Sequence, residues 1–316
     1  MSVAIAFSIA EMAERWIGST PSAEVIAKGR YRLTGNASLG YEPIPDMTAT
    51  SSSDSFMDYV EASNSLGFRD YEHAERNPGV YRVLILGDSV TSGHHIKNYK
   101  DAFPAQLEKI LKKKGREVEV LNFGVNGYNT QQEVEILKDR GLKFSPDLVV
   151  VAYCLNDRVR SDGGLLAMLL NLGDGKGPRR TGLGGLLSES HLARLLEFRY
   201  RSVRSVRSEY GALFKDTVAM HFEELSKLSS DHGFAVLIAI LPDFRDLDSA
   251  SHRGDYSAVK KLADKASLPS IQLLPIAQEC KDDGDPPLFV DHYHPSAAGH
   301  ACIAHGLSAV VEVAME

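Results

Sequence analysis

Five apolar runs follow residue 80: YRVLILGD (81–88), EVEVLNFG (117–124), PDLVVVAYCLND (146–157), FAVLIAILPD (234–243) and a weaker SIQLLP (270–275). Several are continuous β-branched and aliphatic stretches rather than alternating ones, the pattern of strands buried on both faces of a parallel sheet. Amphipathic segments separate or follow them at 101–114, 130–142, 210–232, 255–266 and 296–313. In the first of these, Phe103, Leu107, Ile110 and Leu111 recur at helical spacing, while Lys109 and Lys112 to Lys114 fill the polar side. Strand and helix in alternation imply right-handed crossovers and an open, doubly wound α/β domain over 81–316.

Two regions break this rhythm. A helix through about residue 17 is expected to precede an irregular stretch, 18–80, in which MTATSSSDS (47–55) is the most linker-like part. Residues 1–10 are apolar but fall short of the roughly 20 needed to span a bilayer. They also lack the basic start and small-residue cleavage site of a secretory signal. They read as a short helix packed on the domain; as the end of a longer hydrophobic segment they would anchor the chain or export it through its N-terminus. The second break is an insertion at 158–209, apolar and Gly-rich over 163–175, then basic from Lys176 to Arg207. Insertions of this size are usually lids or packing decorations.

Composition narrows the class. Hydrophobic residues make up 43% and charged ones 24% of the 316 residues, as in ordinary globular proteins. A formal charge of −7 supplies no field for a nucleic acid partner. Cys154, Cys280 and Cys302 form no C-x-x-C pair, which argues against a disulfide framework and a thiolate zinc site and fits a reducing, cytoplasmic compartment.

Polar signatures stand where the strands end, which is where open α/β sheets bind ligands. They are Gly87-Asp88-Ser89, Asn122-Phe123-Gly124 with Val125-Asn126-Gly127, and Leu155-Asn156-Asp157. A fourth group, Asp291 to His294, stands just before the final helix. Ser89 alone would be an ordinary turn or cap residue. A serine hydroxyl becomes a nucleophile only beside a base that a third group orients, and His294 with Asp291, three residues apart, supplies that pair. The backbone N–H groups of Ser89 and Gly124 and the side-chain amide of Asn156 are candidate donors to a tetrahedral oxyanion.

Taken in order, Gly87-Asp88-Ser89-x-x-x-Gly93, Gly124, Asn156-Asp157 and Asp291-x-x-His294 resemble the four blocks of the SGNH (GDSL-like) hydrolase family. The stretches Ser38-Leu39-Gly40-Tyr41 and Asn64 to Arg69 are similar to the lead-in of an extended bacterial subgroup, so the resemblance spans roughly 38–305. It implies a flavodoxin-like three-layer α/β/α sandwich with a mostly parallel sheet, an acyl-enzyme mechanism and no cofactor or metal. By position, Ser89 would be the nucleophile, His294 the general base and Asp291 its orienter, with Ser89, Gly124 and Asn156 forming the oxyanion hole. The substrate would be a small-molecule or saccharide ester; its binding residues are not given by the motifs. One position departs from the pattern: Cys154 stands where the third block usually has glycine.

Other readings stay open at this level. The same machinery performs O-acyl transfer when a hydroxyl replaces water, and a non-catalytic binding protein can retain the fold. Nucleophilic Cys154 is a further alternative. A generic α/β-hydrolase is disfavoured because Thr91 occupies the second glycine position of its G-x-S-x-G elbow. A metal hydrolase built from Asp291, His292, His294, His300 and His305 lacks the H-E-x-x-H spacing.

Overall fold

A computed structural model describes residues 31–47, 50–51, 59–60, 63–74, 76–158, 216–244, 246–248, 252–282, 287–291 and 294–316. The expected N-terminal helix and nearly all of the 158–209 insertion lie outside these residues. Two antiparallel pairs come first: β1 (Tyr31–Leu33) with β2 (Tyr41–Pro43), and β3 (Thr50–Ser51) with β4 (Tyr59–Val60). The main sheet contains β5 (Tyr81–Gly87), β6 (Val118–Gly124), β7 (Leu148–Tyr153), β8 (Ala235–Ile240) and β9 (Ser270–Gln272). Its order is β6-β5-β7-β8-β9 and every pairing is parallel. This is the α/β architecture that the apolar runs predict.

The helices are α1 (Ser89–Ser92), α2 (Phe103–Lys113), α3 (Thr130–Asp139), α4 (Val218–His232), α5 (Arg253–Lys265), α6 (Leu274–Asp282) and α7 (Ala297–Ala314). Strand residues alternate between two separate cores, because successive side chains point to opposite faces. Leu84, Leu86, Phe123, Val151 and Ile238 meet α3, α4 and α5. Val83, Ile85, Val120, Val150 and Leu237 meet α2, α6 and α7. Three layers result. By length and composition α7 passes the test for a membrane-spanning helix, yet half of it is buried in the second core, as befits a core helix.

The stretch read as an irregular extension is partly built into the first core. Tyr31, Tyr41 and Phe68 are buried there, with the Phe68 and Phe123 rings 4.3 Å apart. A second departure is α6, which the sequence reading passes over as the tail of a strand. Pro275 sits in its first turn, where a missing N–H costs no helical hydrogen bond.

The cysteine reading is corrected. Cys280 of α6 and Cys302 of α7 form a disulfide, with Cα atoms 6.2 Å apart. Their separation of 22 residues carries no motif, and only the packing of α6 on α7 brings them together. Cysteine usage therefore no longer favours a reducing compartment.

Candidate active site

The nucleophile arm starts at the end of β5. Asp88 caps α1, its Oδ1 accepting the Val90 N–H at 2.9 Å, so Ser89 stands first in a helical turn directly beyond the strand. Space is tight on both sides. A Cβ on Gly87 would lie 2.1 Å from Thr91 Oγ1, and one on Gly124 would lie 2.3 Å from Ser92 N. These glycines let β5 and β6 approach α1 closely. Beyond Gly93 the chain turns back, and the guanidinium of buried Arg69 donates to the carbonyls of Ser92 (3.1 Å), Gly93 and Ile96.

The base arm is a loop closed by the Phe289–Pro295 bridge and by the Val290 N–H on His294 O at 2.9 Å. It brings His294 Nε2 to 2.9 Å from Ser89 Oγ. His294 Nδ1 lies 2.9 and 2.8 Å from the two oxygens of Asp291, whose Oδ1 also accepts the His294 backbone N–H at 2.9 Å. A carboxylate only accepts, so the neutral ring carries its proton on Nδ1 and aims the Nε2 lone pair at the serine hydroxyl. Ser89, His294 and Asp291, picked out by the sequence, thus stand in one hydrogen-bonded line.

The expected oxyanion donors fare differently. Gly124 N–H donates to Asn122 Oδ1 at 2.9 Å, inside the strand end. Asn156 belongs to the 3₁₀ turn Leu155–Arg158 after β7; its side chain lies outside the described atoms. Gly127, at φ +74°, leaves its N–H without an acceptor among the described residues. Its neighbour Asn126 joins the site: Oδ1 accepts from Ser92 Oγ, and Nδ2 meets His94 Nδ1 at 3.1 Å. The sequence places Asn126 and Gly127 in this strand-end signature without marking a role for either, although Asn-Gly is a strong turn signal.

Sequence reasoning missed His94 and His95. His95 adopts φ +65° and places Nε2 3.0 Å from Asp291 Oδ2. The His94 ring lies 4.1 Å from that of His95 and 4.7 Å from that of His294. Nothing marks them in the sequence except adjacency to Gly93.

Beneath Ser89 the floor is acidic but shielded. Burial foremost, then Asp88, raises Glu133 well above the ordinary carboxylate range; burial, Glu133 and Asp88 do the same to Asp157. Burial thus disfavours the charged form of both carboxyls. Asp157 Oδ2 accepts the Cys154 N–H at 2.7 Å. Burial also pushes the Cys154 thiol up, helped by Asp88 and Asp157, and its Sγ lies 3.4 Å from Asp88 Oδ1. The shift disfavours the thiolate, which is the nucleophilic form. A pocket of about 200 Å³ opens beside Ser89, lined by Val90, Cys154, Leu155, Leu241 and Phe244, with Asp243 and His252.

The metal-hydrolase constellation does not assemble as drawn. His300 is buried on α7, its Nδ1 accepting the Phe103 N–H at 3.2 Å, and burial foremost lowers its pKa to about 3. His292 lies outside the described residues.

Comparison with known proteins adds the following. The model of the GDSL-like Lipase/Acylhydrolase family matches residues 85–302. Among curated proteins none matches. Solved structures similar to the chain include the acetyl xylan esterase AlAXEase, at 16% identity and a TM-score of 0.45, covering 73% of this chain and 99% of its own. TesA is similar at 15% identity and 0.45, covering 74% and 99%. A variant of Axe2, an acetyl xylan esterase from Geobacillus stearothermophilus, stands at 14% and 0.44, covering 72% and 92%.

Proposed function

The chain belongs to the GDSL-like lipase/acylhydrolase family, and from that premise we propose that it is a serine esterase that removes a short acyl group through an acyl-enzyme. The observation carrying this reading is the unbroken line from Ser89 Oγ through His294 to Asp291, with contacts of 2.9 and 2.8 Å. Ser89 Oγ attacks the ester carbonyl carbon while its proton passes to His294 Nε2. Asp291 keeps the ring in the productive tautomer and stabilises the imidazolium that forms, a contribution of about 10²–10⁴-fold for general base catalysis. The developing oxyanion is met by the N–H of Ser89, the free N–H of Gly127 in place of that of Gly124, and the Asn156 amide. Each such donor is worth roughly 10²–10³-fold. Collapse of the intermediate breaks the carbon–oxygen bond to the alcohol, which leaves with the proton from His294. Water then repeats the two steps and frees Ser89.

The apolar pocket supports a choice of acyl group. A dry cavity of roughly 150 Å³ holds benzene, so a pocket of about 200 Å³ suits chains of up to about six carbons. Polar Asp243 and His252 at the same pocket suit a small or saccharide alcohol nearby.

The test is hydrolysis of p-nitrophenyl acetate, butyrate, hexanoate and decanoate, with intact mass after a fluorophosphonate probe. Turnover falling at least about 10⁴-fold in Ser89→Ala, one adduct on Ser89, and a drop in rate from hexanoate to decanoate are expected. Undiminished turnover in Ser89→Ala would overturn the reading. An adduct without hydrolysis would move the function to acyl transfer.

A further inference from the structure

His95 is the least explained residue of the site. Its φ of +65° is uncommon for any residue but glycine, although Asn, Asp and His adopt it more often than the rest, and holding a residue there costs about 1–3 kcal/mol. The reaction proposed above needs one imidazole on Asp291, yet the chain supplies two. His95 Nε2 lies 3.0 Å from Oδ2, and His294 Nδ1 lies 2.8 Å from the same oxygen. One donor atom from each of the three residues falls within 4.8 Å of the others. We propose that His95, Asp291 and His294 form a binding site for a divalent transition metal of the zinc class, and that occupancy switches the esterase off. Binding itself does not depend on the hydrolytic reading; the inhibition rests on it.

The donor set fits such an ion. Two imidazole nitrogens and one carboxylate oxygen are ligands zinc takes with bond lengths of about 2.0–2.1 Å, which sets ligand-to-ligand separations near roughly 3.3 Å in a tetrahedron. Two edges of the triangle, at 2.8 and 3.0 Å, are already close to that. Small side-chain rotations open it. Three protein ligands leave a fourth position for water. Access is direct, since the side chains of His95, Asp291 and His294 are 19, 38 and 15% exposed, and a metal enters without the cost of a sealed cavity. His94 packs on both ligand rings and is itself held by Asn126, which steadies their orientation.

Inhibition follows from proton placement. A metal on Nδ1 of His294 displaces the proton there, so the neutral ring carries its single proton on Nε2. That atom, 2.9 Å from Ser89 Oγ, then donates to the hydroxyl and has no lone pair with which to deprotonate it. The ion also draws the charge of Asp291 to itself. The catalytic base is lost without any movement of Ser89.

The experiment uses full-length Ser89→Ala protein, stripped with EDTA and dialysed, so that binding is read without turnover. Zinc chloride is titrated calorimetrically, and cobalt(II) is added in parallel to read the intense visible absorption of a tetrahedral site. One metal per chain is expected, with tetrahedral cobalt bands. Adding His95→Asn, whose asparagine tolerates the left-handed backbone, should weaken binding by at least the 10–100-fold that loss of mere supporting groups costs. Circular dichroism and a melting curve establish that this double variant is folded. In the wild-type chain, zinc should suppress ester turnover, EDTA should restore it, and His95→Asn should raise the half-inhibiting zinc concentration by about 10-fold or more. No saturable binding by Ser89→Ala, or equal binding after His95→Asn, would overturn the site. Saturation by zinc with turnover unchanged would overturn the switch. A wild-type chain that binds zinc but hydrolyses no ester would sink the esterase reading and leave the metal site standing.

Discussion

The two arms that meet at the Ser89–His294 contact are built in opposite ways. The nucleophile arm, residues 87–96, is mostly buried, with Ser89, His94 and His95 only partly so, and is held from several directions: Asp88 caps α1, Gly87 and Gly124 admit close packing, and Arg69 gathers three carbonyls. The base arm, residues 287–296, lies near the surface. Val290 and Phe289 are 53 and 39% exposed, and among its described residues the loop is fastened by the Phe289–Pro295 bridge, backbone hydrogen bonds and the Ser296 hydroxyl donating to the Pro287 carbonyl at 2.6 Å. Under the proposed reaction the serine has to meet both the carbonyl carbon and the oxyanion donors, which suits the more buried arm, while the base needs only to keep one nitrogen in reach of the serine. Its partly exposed Asp291 also meets a second imidazole, that of His95, at 3.0 Å.

Substitutions separate the arms by what they damage. The largest effect is expected from Asp291→Asn. Activity should fall by roughly 10³–10⁴-fold through the wrong tautomer of His294, while urea unfolding shifts by less than about 1 kcal/mol because the group is partly exposed. A large loss of stability would show that the base arm is as deeply anchored as its counterpart.

Arg69→Met should do the reverse. Removing its N–H groups strands buried carbonyls at about 1–3 kcal/mol each, so a total near 3 kcal/mol is expected by denaturant unfolding, with the residual activity of the folded fraction reduced less than in Asp291→Asn. An unfolding free energy within about 0.5 kcal/mol of wild type would mean the nucleophile loop holds itself.

Third is a pH effect just beyond the base arm. His300 has a folded pKa of about 3 against 6.5 for the free group, because burial disfavours its charged form. Above pH 6.5 it is neutral in both states and contributes no slope. As pH falls below 6.5 the unfolded chain takes up a proton that the native chain refuses, so stability drops by up to about 1.4 kcal/mol per pH unit toward pH 3. His300→Gln should flatten this slope between pH 6.5 and 4.5 in urea titrations; an unchanged slope would assign it to other groups. Least of all, Val290→Ser should leave stability within about 0.5 kcal/mol, and a larger change would mean that the exposed loop is braced by more than its bridge.

Much of this was legible beforehand, for physical reasons that differ by residue. β5 from Val83 onward, β7 and β8 announce themselves as uninterrupted apolar runs because both faces of the central sheet are covered. Ser89, Asp291 and His294 stand out because their chemistry requires a fixed order of residue types at strand ends. Which glycine N–H faces outward was not legible, because glycines serve both for space and for a free N–H: Gly124 provides space and donates to Asn122 Oδ1, while the Gly127 N–H has no acceptor among the described residues. α6 was passed over because nine residues hold too little periodicity to separate helix from strand.

The sequence alone determined the alternation of strand and helix and singled out Ser89, His294 and Asp291 as one candidate set, since the first depends on local periodicity and the second on residue types in a fixed order along the chain. Only the tertiary structure decided that Cys280 pairs with Cys302, that Arg69 braces the loop after the nucleophile, and that His95 reaches Asp291. Each of these joins residues distant in the chain, through contacts that exist only once helices have packed on the sheet. No local pattern encodes such contacts, because the free energy that selects them belongs to the packed core and not to any one segment.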